Sequence, residues 1–228
     1  MGTRHLVAVK IDGEYKVAQY GQWDGYPEGQ GATVLRFLLE GDVEALKRNL
    51  ARTYHPDDAE RNRMWAEFGV EEGSRFVSID ASERFAKRYP SLHRNTGAGI
   101  LELIAKAEGE DRIPLDLNLE FAGESLFCEY AYVIDFDTGT FEVFEGFNKA
   151  GPVPEGARFA DLAYDENDCT GNKYYQVTLS KLWPLSDLPT PEDFLAAFEE
   201  PEEVADQAVG AAPPADANDT QERPVWSA

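Results

Sequence analysis

Apolar positions recur every second residue in HLVAVKI (residues 5–11) and again in YKVAQYG (15–21), and the Asp12-Gly13 dipeptide between them is a hairpin turn signal. The chain is therefore expected to open with a β-hairpin. The period then lengthens. Val34, Leu35 and Leu38, followed by Val43, Leu46 and Leu50, fall at helical spacing, and Gly41 breaks the run with Asp42 placed to cap the second piece. A third helix is expected over 57–68, begun by His55-Pro56-Asp57-Asp58 and ended by Gly69. RFVSID (75–80) reads as a short strand. Further helices are expected from Ser82 to Tyr89, stopped by Pro90, and from about Gly99 to Glu108.

After residue 112 alternation returns. LDLNLEF, LFCEYAYVIDF, TFEVFEGF and KYYQVTLS read as four strands, with Asp137-Thr138-Gly139 turning the central pair. TPEDFLAAFEE closes the patterned region as a helix with Thr190 as N-cap and Pro191 at its first position. Hairpins dominate this order, so the expected class is α+β: mostly antiparallel sheet with helices on its faces, not a doubly wound nucleotide fold. From Glu199 the sequence has eight acids, one Arg and few large apolar groups. Burial there cannot offset ordering entropy, so residues 1–199 are expected to form one domain and 200–228 a disordered acidic tail.

Composition narrows the partners. Of the 228 residues 43% are hydrophobic, a folding composition, and the formal net charge is -22, which opposes binding to nucleic acid or an anionic membrane. No stretch reaches membrane-spanning length and the N-terminus lacks a cleavable signal pattern. Cys128 and Cys169 have neither zinc-site nor redox-pair spacing, so reduced thiols in the cytoplasm are expected.

Two glycine-rich loops carry the candidate chemistry. QYGQWDGYPEGQG (19–31) joins a strand to a helix, with glycines that let backbone amides face an anion and with Gln22, Trp23, Asp24 and Tyr26 as directional or flat groups suited to a small polar ligand. It lacks the Gly-Lys-Ser/Thr ending of a phosphate-binding Walker loop. RNTGAG (94–99) repeats the arrangement: Asn95 or Thr96 can cap the next helix. If the loops converge, Arg94 supplies a cation and Asp24 a base. His5, His55 and His93 have no metal-ligand spacing, and His5 reads as structural; neither a metal nor a cofactor is expected. Acids at 120, 129, 135, 137 and 142 are expected to include many on a solvated face.

The opening TRHLVAVKIDGEYKVAQYGQ resembles N-terminal-nucleophile hydrolases, in which a Thr starts the first strand and a hairpin returns to a polar residue. The resemblance implies an αββα sandwich and an amide- or ester-cleaving role for Thr3 once its amine is freed, with Lys10 and Lys16 as candidate supporting lysines. More of the chain, through GTRHL…AQYGQWDGYPEGQG, NTGAG and LFCEYAYVID, is similar to a family of uncharacterised phage, bacterial and fungal proteins, which implies one domain without an assigned reaction. The leading expectation is a pocket for a small polar ligand built from the two loops. A hydrolase using Thr3 and an acidic protein-binding charge mimic are the alternatives.

Overall fold

The computed structural model describes residues 2–74, 76–164 and 171–199; the tail from 200 and Cys169 lie outside the described residues. The hairpin forms as expected. Strand β1 (His5–Ile11) pairs antiparallel with β2 (Glu14–Gly21), and Asp12 and Gly13 have φ of 55° and 78°, the mirror-image turn that suits the twist of a hairpin. A wide helical turn over Pro27–Gly31 leads into α1 (Ala32–Glu40) and α2 (Val43–Leu50). The Asp42 carboxylate accepts from the Ala45 amide at 2.8 Å, fulfilling the cap expected from the sequence. There follow β3 (Thr53–Tyr54), α3 (Asp58–Ala66), α4 (Ile79–Arg88), α5 (Gly99–Ala105), β4 (Ile113–Pro114), β5 (Tyr130–Asp135), β6 (Thr140–Glu145), β7 (Thr178–Pro184) and α6 (Pro191–Ala196).

The main sheet has the order β2-β1-β5-β6-β7. Its neighbours are antiparallel except β1 and β5, so the sheet is mixed but mostly antiparallel, and the class is α+β. A second pairing joins only β3 and β4. The described strands thus form one large sheet and a two-residue ribbon.

Two expected strands do not form. In the described part of RFVSID, Ser78 instead caps α4 by accepting from the Ala81 amide at 3.1 Å, and Phe76 and Ile79 stay exposed, with no strand paired to them among the described residues. In LDLNLEF the alternation ends at one bridge between Ala18 and Leu117, after which Leu119–Gly123 coils into a short 3-10 turn. That turn places Gly123 against the Ala163 backbone, where a Cβ would clash. KYYQVTLS contributes only its last residues to β7, because Tyr175 and Val177 donate backbone hydrogen bonds to Asn148 and Ala122.

Alternation along the strands divides the core. Val7, Val9, Tyr132, Ile134, Phe141 and Val143 point towards α1, α2, α5 and α6. Leu6, Ala8, Ala131, Val133 and Phe144 point the other way, where Phe159, Val177 and the 3-10 turn cover them. One face of the sheet is therefore covered by helices, the other by irregular chain.

Candidate functional site

At one end of the sheet the two glycine-rich loops meet. The Gln22 amide donates to the Arg94 carbonyl at 3.1 Å, the Gln19 side-chain amide donates to the His93 carbonyl at 3.3 Å, and the Ala98 amide donates to Gln30 Oε1 at 2.7 Å. Beneath them the Tyr132 hydroxyl donates to the Gly25 carbonyl at 2.7 Å. The contact is direct. At Gly97, with φ of 48°, an added Cβ would meet Gln30 Oε1 at 2.5 Å, and one at Gly21 would strike the His5 ring.

His5 fills this junction at 1% exposure, with neither ring nitrogen hydrogen bonded, and the neighbouring Gln19 Oε1 is also buried without a partner. Burial lowers the His5 pKa to about 4; the Thr3 backbone, close by but outside hydrogen-bonding geometry, opposes this only in part.

The sequence-derived site residues separate around that junction. Thr3 is enclosed at 3% exposure, its carbonyl accepting from the Gly25 amide at 2.9 Å, while Gly2 lies under the Trp23 ring. Trp23 and Tyr26 remain 47% and 49% exposed. Asp24 is exposed at φ 56°, its backbone carbonyl holding the Gln30 amide, and Gln22 Oε1 accepts from the Tyr20 hydroxyl. Among the described residues no ion pair joins Asp24 to Arg94. Neither Asn95 nor Thr96 caps α5: Ala98 holds the N-cap position, Thr96 Oγ1 donates to the Pro90 carbonyl, and the Asn95 amide donates to His93 Nδ1. Lys10 and Lys16 lie towards the far end of the hairpin from Thr3, Lys10 about 20 Å along a strand rising about 3.3 Å per residue.

A roomy cavity lies elsewhere, on the face of the sheet away from α1, α2, α5 and α6. It is a half-open cleft of about 690 Å³, floored by β1, β5 and β6, bounded by β7 and roofed by residues 153–159. Apolar walls from Phe144, Phe159, Val153, Pro154, Leu179 and Leu182 meet a group of charges from Lys10, Asp135, Glu142 and Arg158. Of the five acids of which many were expected on a solvated face, two are buried: Asp135 is 0% exposed and Glu142 6%, both bonded to a cation from a distant loop.

That cation is Arg158. Its Nε and Nη2 donate to Glu142 at 2.5 and 2.6 Å, Nη2 also donates to Asp135 Oδ2 at 2.7 Å, and Nη1 donates to the Tyr15 hydroxyl at 3.0 Å. Burial opposes ionisation of Asp135. The Arg158 hydrogen bond and the amides of Thr138 and Asp137 outweigh it and hold the carboxyl below its usual range. Burial likewise works against the Arg158 charge, and its bonds to Glu142, Tyr15 and Asp135 overcome that penalty.

Sequence reasoning missed this cluster. One signal was available: Asp135 shares strand parity with Val133 and Ala131 and stands opposite Lys10 in the β1–β5 register. Arg158 carried none, since it comes from a segment without helix or strand periodicity. No family model matches the chain, and neither a curated protein nor a solved structure is detectably similar to it.

Proposed function

We propose that the protein binds a small organic molecule in the cleft on the face of the sheet away from α1, α2, α5 and α6. One observation carries the reading: an apolar recess of ligand size ends in a convergent set of buried polar groups, the combination that orients small molecules in binding sites. The buried thiol of Cys128 accords with a protein working in a reducing, cytoplasmic setting. The test is a small-molecule screen by amide NMR shifts on the full chain and on Leu182→Trp, which narrows the cleft from its edge. Hits should shift residues of β7 and the 153–159 roof and should weaken in the variant. Hits confined to other surfaces would reject the cleft.

A second reading keeps the ligand at the glycine-loop junction, where the first loop exposes Trp23 and Tyr26 and where His5 and Gln19 are buried with unpartnered atoms. In its catalytic form Thr3 is the nucleophile and its own freed amine the base. That form requires a free Thr3 amine, so an intact mass lacking both Met1 and Gly2 would support it, and a mass retaining Gly2 would remove it.

A further inference from the structure

Resting on the cleft reading, we infer that the ligand is an organic acid: one carboxylate on an apolar body, with Lys10 and Tyr15 binding the carboxylate. Arg158 makes four hydrogen bonds, to Glu142, Asp135 and Tyr15, so its guanidinium is committed inside the protein. Glu142 Oε1 accepts from Thr140 as well as from Arg158, and Asp135 Oδ1 accepts from the amides of Asp137 and Thr138. Each of the four carboxylate oxygens already accepts a hydrogen bond, so a ligand cation would have to compete with these donors.

The donors differ. Lys10 is 27% exposed at the cleft, and among the described residues its ammonium, with three protons, has one ion-pair contact, to Asp135 Oδ2 at 3.7 Å. The Tyr15 oxygen accepts from Arg158, which leaves its own O–H proton to donate outward. The cleft therefore offers a cation and a hydroxyl donor, and its acidic oxygens are already engaged. The complementary group is an anion that only accepts.

Charge selects a monoanion. Two acids balance two cations in this cluster, so a bound carboxylate adds one negative charge beside Asp135 and Glu142, whereas a dianionic phosphate would add two. Apart from the Thr138 and Thr178 hydroxyls, the other side chains lining the recess are hydrocarbon. Phe144 and Phe159 form its inner wall, and Leu179 and Leu182 stand exposed at its mouth, where an apolar body would take them out of water.

The test uses three isosteric probes, 2-naphthylacetate, 2-naphthylacetamide and 2-(2-naphthyl)ethylammonium, titrated at pH 7 into the full chain and followed by amide NMR shifts. The acid should bind about ten-fold or more tightly than the other two, the scale of a charge-assisted hydrogen bond, with shifts at Gly156, Leu179 and Leu182. Lys10→Met should reduce the acid to the affinity of the amide and leave the amide unchanged. Tyr15→Phe, which retains every charge, should weaken the acid by a smaller factor. If the amide or the amine equals the acid at these same residues, the inference fails while the cleft stands. If all three probes shift other residues or none, the cleft reading fails with it.

Discussion

His5 occupies a position at which charge is penalised. Both ring nitrogens lie buried among Gly21, Gly97 and the Thr3 backbone without an acceptor, so the fold selects the neutral ring. With a folded pKa of about 4 against an ordinary value of 6.5, the unfolded chain binds the extra proton first as pH falls. His5 thus leaves stability unaffected above pH 6.5. Below that, stability falls towards pH 4, where the loss levels off at about 3 kcal/mol. Urea unfolding of the protein and of His5→Phe across this range should show the steeper decline only in the parent. Equal slopes would mean that His5 does not titrate on unfolding. Gly97 supports the same junction. Gly97→Ala puts a methyl group at a left-handed φ and into Gln30, and should cost about 1 to 3 kcal/mol by the same assay. A loss below about 0.5 kcal/mol would show that the loop contact yields.

At the scale of elements, the legible parts were those whose causes are local. The hairpin follows from alternation and Asp12-Gly13, while α2 and α6 follow from Asp42 and from Thr190-Pro191, each a cap bonded within its own first turn. Asp42→Ala should therefore cost about 1 kcal/mol in urea unfolding, since the freed Ala45 amide sits at the junction with α1. A cost near zero would show that water or a neighbour replaces the cap. Elements decided by distant chain were misread. LDLNLEF alternates as a strand does, yet it runs beside β2 for one bridge before the packing of Gly123 against Ala163 bends it away. RFVSID has strand composition, but among the described residues no sheet edge accompanies it, and the Ser78 cap prevails. The glycine loops were rightly expected at strand and helix ends, and they do approach each other. What fills the space between them, His5 from β1, could not be read from either loop, and Gln30 of the first loop gave no sign of its bond to Ala98.

Over the whole molecule the two faces of the sheet are stabilised by different physics. On the helix side an apolar cluster runs continuously from Val7 through Tyr132 to Phe194. On the other side, residues 154–162 hold themselves by short-range turns, Ala157 to Pro154, Ala160 to Ala157 and Leu162 to Phe159, and Arg158 ties them to the sheet through Asp135 and Glu142. Turn-built segments with few backbone bonds to the sheet open at lower free energy than central strands. Native-state hydrogen exchange should accordingly show the amides of Ala157, Ala160 and Leu162 opening well before those of Val7 and Tyr132. Arg158→Met should widen that gap, because it leaves two buried carboxylates without their cation, a change worth about 3 to 5 kcal/mol when one member of a buried pair is removed. Adding Asp135→Asn and Glu142→Gln to Arg158→Met removes the unpaired charges and should return part of that loss, which separates the electrostatic cause from lost packing. If the 157–162 amides exchange together with Tyr132, and Arg158→Met lowers both equally, the roof of the cleft unfolds only with the sheet and is not an independently opening layer.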